Sequence, residues 1–258
     1  MSEFTPTPER QKQILALLAK QGRLSISEIV GQFSISVATA RRDVESLASQ
    51  GKAQRVHGGV IAIEQAPPEL PILERENEQS DEKNRIGLAA ADLVNDKETV
   101  FLGSGTTVLE VARNLRRNRK NLTVITNSLP VLNALAGATG ITVISLGGML
   151  RESEMSFIGH ITEQALTEIR ADKVVMGTRG LSLEHGLTND YLQETLTDRA
   201  ILKIGREVII VADHSKVNRI STALLAPLKS MHTFVTDAKT EKKFIASLKK
   251  QNIKVIIA

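Results

Sequence analysis

Seven short runs rich in β-branched residues recur from residue 99 onward: "TVFLG", "LTVITN", "TVISLGG", "KVVMGT", "EVIIVAD", "HTFVTD" and "KVIIA". Most are separated by stretches with helical spacing of apolar residues, such as Ile86, Ala89, Ala90, Leu93 and Val108, Ala112, Leu115. Strand–helix alternation of this kind argues for a mostly parallel sheet covered on both faces. In an open sheet of that type the carboxyl ends of the strands share one edge, and ligands bind there.

The 258 residues allow one large domain or two smaller ones. Apolar residues make up 41% and charged residues 24%, enough for a core. Aromatics are only 3%, so Ile, Leu, Val and Ala must fill it. Cysteine is absent, which excludes disulfides, thiolate metal sites and cysteine nucleophiles. The five histidines show no metal-ligand spacing, and neither a metal nor a cofactor is expected. No apolar run approaches the ~20 residues needed to cross a bilayer, and "MSEFTPTPERQKQ" is no secretory signal. A cytoplasmic protein without membrane contact is expected. The net charge of +4 hints only mildly at an anionic partner.

Residues 1–63 read as a separate helical domain. Thr7 with Pro8 suits a first helix start, and Ser25 with Glu28 fits a capping box. Ile26, Ile29, Val30 and Phe33 follow amphipathic spacing. Ser36 then caps a third helix, on which Val37, Ala40, Val44 and Leu47 form the expected buried stripe. Ser36, Ala38, Thr39 and Arg42 crowd the exposed amino-terminal end, with Arg41 on a flank. Small residues there permit the close approach that a recognition helix needs in a major groove. Gly51 ends the helix. Lys52, Arg55 and His57-Gly58-Gly59 follow, a basic hairpin between "AQRV" and "VIAI" that suits phosphate contacts. Residues 64–80, with Pro67, Pro68 and Pro71 and several glutamates, read as a stiff solvated linker. Residues 81–258 form the larger α/β domain.

That domain carries a second pattern. "FLGSGTTVLEVARNL" leaves a strand and enters a helix near Thr106. Gly103 and Gly105 let the backbone approach a ligand, Ser104, Thr106 and Thr107 offer hydroxyls, and the helix start offers N–H groups to an anion. The loop lacks the Gly-Lys-Ser/Thr of a Walker A motif. Other strand ends finish in Asn127-Ser128, Gly147-Gly148 with Arg151, Gly177 to Gly180, and Asp213-His214-Ser215-Lys216. Their convergence favours a phosphorylated ligand, with Arg151 and Lys216 as candidate phosphate partners. Arg113, Arg116, Arg117, Arg119 and Lys120 read as a solvated helix end rather than a second nucleic-acid site.

The segment "LSISEIVGQFSISVATARRDVESLASQGKAQRVHGGV" resembles the winged helix-turn-helix of the DeoR family of bacterial sugar-catabolism regulators. The motifs "GSGTT", "TNSL", "GGMLR", "FIGH", "MGTRGLSLEHGLT", "QETLTDRAIL" and "ADHSK" resemble that family's effector domain. The resemblance implies a Rossmann-like effector domain related to sugar-phosphate isomerases, joined to the DNA-binding domain. It implies a repressor that binds double-stranded operator DNA and is released by a phosphorylated sugar; because symmetric DNA sites usually require symmetric proteins, a homodimer or homotetramer is expected. Glu194 and Asp213 join the implied effector site. Two positions depart from the family pattern: Gly103 where Asp is usual, and Asp198 where Lys is frequent. A sugar-phosphate isomerase or deaminase carrying a DNA-binding domain is the alternative, with Glu194, Asp198, Asp213 and Lys216 as acid/base candidates.

Overall fold

The computed structural model describes residues 7–49, 52–56, 58–62, 64–65 and 70–258. The chain divides into two compact units, Met1–Glu64 and Gln65–Ala258.

In the first unit α1 (Thr7–Gln21), β1 (Arg23–Ser25), α2 (Ile26–Phe33) and α3 (Val37–Ser49) precede β2 (Ala53–Val56) and β3 (Gly59–Ala62). The capping box at α2 forms as the spacing predicts: Ser25 Oγ accepts from Glu28 N, and Ser25 N donates to the Glu28 carboxylate. Ile14, Leu18, Leu24, Ile29, Ala40, Val44, Leu47, Ala53 and Val60 make the core. Strands β2 and β3 form the antiparallel wing, with Val56 opposite Gly59. Strand β1 is an addition the sequence did not announce. It pairs with β3 so closely that a Cβ on Gly59 would lie 2.3 Å from the Leu24 carbonyl oxygen.

After β4 (Glu64–Gln65), which spans the boundary, the second unit runs through α4 (Ile72–Arg75), α5 (Ser80–Ala91), β5 (Thr99–Leu102), α6 (Thr106–Asn118), β6 (Leu122–Thr126), α7 (Leu129–Leu135) and β7 (Ile141–Ser145). There follow β8 (Met149–Arg151), β9 (Ser156–Ile158), α8 (His160–Thr167), β10 (Ala171–Met176), β11 (Gly180–Ser182), β12 (Gly186–Asn189), α9 (Leu192–Ile204) and β13 (Gly205–Val211). Last come β14 (Arg219–Ile220), β15 (Ala223–Ala226), β16 (Thr233–Thr236), α10 (Lys242–Lys250) and β17 (Lys254–Ile257). All seven expected runs join one parallel sheet in the order β17-β16-β13-β10-β5-β6-β7. Side chains alternate between two cores. Phe101, Val174, Met176, Val208 and Ile210 face one. Val100, Leu102, Val175, Ile209 and Val211 face the other. Each layer buries the period-2 pattern of a strand covered on both sides.

Within the stretch expected as a solvated linker, Leu70, Pro71, Leu73, Glu74 and residues 77–80 are exposed, and the correction falls on Ile72 and Arg75. Ile72 and Arg75 are buried, and Ile72 N donates to Ser153 O at 2.7 Å. Three prolines and a high charge suggested solvent, but the apolar Ile72 and a buried ion partner for Arg75 outweigh local composition.

Candidate functional site

On α3 the buried stripe is Ala40, Asp43, Val44 and Leu47. Val37, expected to be buried, is 48% exposed because it lies in the first turn, before the stripe begins. Ser36 Oγ accepts from Thr39 N at 3.1 Å and lies 2.9 Å from Thr39 Oγ1, so the helix start is capped. Ser36, Ala38, Arg41 and Arg42 are exposed and Thr39 half-buried. This leaves a small-residue surface with two guanidinium groups on its rim. Lys52 and Gly58 are exposed, and Gly58 takes φ +79°, the left-handed conformation the wing turn requires. Arg55 is exposed and pairs with Glu45 of α3 at 3.2 Å, tying wing to helix. His57 and Gly51 lie outside the described residues.

In the second unit the sheet order reverses direction between β5 and β10. Strands β6 and β7 extend one way from β5, and β13, β16 and β17 the other way from β10. The loops leaving the two central strands therefore diverge and open a crevice at the carboxyl edge. A cleft with about 770 Å³ of empty space, part of it open to solvent, occupies this place. The β5 loop supplies Ser104, Gly105, Thr106 and Thr107 to it. Gly105, at φ +109°, precedes α6 and no side chain caps that helix. The first N–H groups of α6 are thus presented at the cleft with the positive end of the dipole.

Facing this cradle are Lys216, Arg179, Lys83 and Arg75 among the cations, and Glu194, Asp198, Asp213 and Glu154 among the anions. Asp213 Oδ1 accepts from Ser215 N at 2.8 Å and shapes the turn that carries Lys216. Arg179 donates to Asp190 Oδ2 at 2.9 Å. Asp198 accepts from Asn189 Nδ2 at 2.7 Å, and Glu194 accepts from Ser156 Oγ at 3.1 Å and from Arg151. Glu194 and Asp198 are one helical turn apart on α9, so both reach the same wall.

Several expected site residues stand behind the cleft rather than on it. Arg151 is the main correction: it bonds to Glu194 and stacks over Tyr191 at 4.7 Å, so its charge positions a carboxylate. Gly103 is buried against Met176. Gly148 is packed so that a Cβ would lie 2.2 Å from Thr162 Oγ1. Ser128 caps α7 by accepting from Val131 N. Asn127 Nδ2 donates to Phe157 O at 2.9 Å, while its buried Oδ1 finds no protein donor among the described residues. Conversely Arg75, Lys83, Arg179 and Asn189 line the cleft without having been singled out. Arg179 lies in the "GTRG" strand end and was within reach of that signal. Arg75 and Lys83 carry no local motif.

No described helix is long and apolar enough to cross a membrane, and no described cluster of His, Asp and Glu could hold a metal ion. Residues 10–66 match the family description "DeoR-like helix-turn-helix domain", and residues 78–238 match "DeoR C terminal sensor domain". The chain is 34% identical over 239 residues to the transcriptional repressor AccR of Agrobacterium fabrum, covering 92% of each chain. It is 34% identical over 230 residues to the glycerol-3-phosphate regulon repressor of Escherichia coli, covering 89% of this chain and 90% of that one. It is 30% identical over 249 residues to the regulator IolR of Bacillus subtilis, covering 96% and 98%. Among solved structures, the sorbitol operon regulator SorC of Klebsiella pneumoniae aligns with TM-score 0.42 and 10% identity over 95% of this chain and 99% of that one. Ribose 5-phosphate isomerase A of Methanocaldococcus jannaschii aligns with TM-score 0.40 and 17% identity over 54% and 55%. With the two family descriptions falling on the helical unit and on the sheet with its cleft, this chain belongs to the DeoR family of transcriptional regulators.

Proposed function

We propose that this regulator represses a carbohydrate-catabolism operon and leaves its operator when a phosphorylated sugar occupies the sheet-edge cleft. The observation that carries the reading is the uncapped start of α6 behind Gly105, opening on a cleft that also holds Lys216 and Arg179. Backbone N–H groups at a helix start and nearby cations suit a phosphate, and Glu194, Asp198 and Asn189 suit sugar hydroxyls. The cleft acts as a receptor rather than as a catalyst. The exposed start of α3 takes the major groove, with Arg42 reading base edges and Lys52 and Arg55 meeting phosphates.

A palindromic operator calls for a symmetric protein, and the second unit supplies the contact. Leu192 and Leu196 of α9 and Leu224 of β15 are 61%, 48% and 52% exposed, on elements tied together by Arg199 bonding the Leu224 carbonyl. Exposed apolar residues grouped in this way favour burial against a second copy.

A thermal-shift screen with sugar monophosphates tests the effector reading. A compound at ~100 times its dissociation constant stabilises by ~2.7 kcal/mol, and the same compound must release operator DNA. Stabilisation without release would leave a binding site with no regulatory role. Turnover of the compound would favour the enzyme alternative.

A further inference from the structure

Between the DNA-binding unit and the first strand of the large sheet, the chain passes through residues 70–83, and this strap forms part of the cleft wall. Arg75 is 8% exposed, forms an ion pair with the buried Glu154 and donates from Nε to Leu70 O at 2.8 Å. Lys83 is 5% exposed and donates from Nζ to the Arg75 carbonyl at 2.6 Å. Arg75, Glu78, Gln79 and Lys83 share the cleft with Thr106, Thr107 and Lys216.

A buried ammonium has three donors to satisfy, and water is largely withdrawn from it. Burial pushes the Lys83 ammonium below its ordinary proton affinity, Asp213 acts against that shift, and Lys216 adds to it. A dianion at the α6 start would add to the countercharge that Asp213 and Glu78 already provide and would compete with the Arg75 carbonyl for the same ammonium.

We propose that Lys83 is a phosphate ligand of the effector site and that the 70–83 strap is the element by which occupancy reaches the DNA-binding unit. The inference rests on the sugar-phosphate reading above. Its physical content is a shared donor: the ammonium that donates to the Arg75 carbonyl turns to the phosphate when one is bound. A ligand shifts such an equilibrium only through contacts that differ between the two states, and the Lys83 bond is that difference.

The test uses the full chain, with inorganic phosphate and a panel of three- to six-carbon sugar monophosphates as probes. Lys83→Met should raise the dissociation constant of any panel compound that stabilises the wild type by at least ~10-fold, the loss of one charge-assisted hydrogen bond. Lys83→Arg, which keeps the charge, should lose much less. Hydrogen exchange on the wild type should show altered protection across residues 70–83 when that compound is added, a readout that stands even if Lys83→Met fails to fold. If Lys83→Met binds the compound within about twofold of wild type, or exchange over 70–83 is unchanged on binding, the inference falls and the sugar-phosphate reading stands. If no panel compound stabilises the wild type, both fall together.

Discussion

Arg10 of α1 donates through Nε to Asp43 Oδ2 of α3 at 2.6 Å, with both side chains only 3% exposed. Gln11 Nε2 adds a bond to Asp43 at 3.3 Å. Helix α3 is therefore fixed at its middle by an ion pair set within its apolar stripe. Removing one partner of a buried pair leaves a charge without compensation and costs about 3–5 kcal/mol, a large share of the ~5–15 kcal/mol that stabilises a domain. Asp43→Ala should lower the urea midpoint for operator binding far more than the double change Arg10→Met with Asp43→Leu, which removes both charges. Equal midpoints would show that the pair does not hold the helix.

Arg42 and Arg55 should separate by the kind of contact they make. Arg42 is exposed near the start of α3, and a bidentate arginine–guanine contact is worth roughly 1–3 kcal/mol. Arg42→Ala should abolish specific operator binding and flatten base preference at one operator position. Arg55→Ala and Lys52→Ala should weaken all sequences alike and each lower the magnitude of the salt slope by about 1. Unchanged base preference in Arg42→Ala would remove it from base readout.

If Arg55 meets DNA phosphates as proposed, Glu45 should compete for it, because the two side chains are paired at 3.2 Å. An exposed pair of this kind is worth at most ~1 kcal/mol. Glu45→Gln should therefore raise affinity for any duplex by a few-fold at low salt, and the gain should fade as salt rises. A gain confined to the operator would point to base contacts instead.

Thr106 begins α6 at the cleft, 5% exposed. Thr106→Val keeps the shape and removes a hydroxyl. It should weaken the phosphorylated effector by about tenfold or more and leave operator binding in its absence intact, giving a repressor that stays on DNA. The unphosphorylated sugar should bind at least ~100-fold more weakly than its phosphate, having lost two or three charge-assisted bonds. Equal release by the free sugar would move the anion site away from α6.

Self-association should belong to the second unit. Sedimentation of residues 65–258 should show a dimer or tetramer at micromolar concentration, and Leu192→Glu with Leu196→Glu should disperse it. A cut at residue 75 would be a poor fragment, since Ile72 and Arg75 are built into this unit. A monomeric fragment with intact cleft binding would place the contact elsewhere.

Local sequence determined the elements and the two ends of the function. β-Branched runs separated by helical spacing specified seven strands that join one parallel sheet, because each run has to be covered on both faces. The capping box at Ser25 and Glu28, the cap at Ser36 and the wing around Gly58 and Gly59 were legible because a turn or helix start depends on a few neighbouring residues. The loop "GSGTT" was legible for the same reason. Which side chains meet across the cleft was a tertiary matter. Arg75 lies in a stretch whose prolines and charges suggest solvent, and only its ion pair with Glu154, 79 residues away in sequence, and the neighbouring Ile72 bond to Ser153 draw it inside; Lys83 of α5 is then held by the Arg75 carbonyl. Arg151 carried the right charge at a strand end, yet Glu194 and Tyr191 on and beside α9 hold it behind the cleft wall. Strand β1 is not legible in the sequence because a three-residue edge has too few positions for a period, and Gly59 is what lets β3 approach Leu24. Charge and periodicity are written along the chain, but the partner of a long, flexible cation is chosen in space, where burial decides which carboxylate or carbonyl must satisfy it.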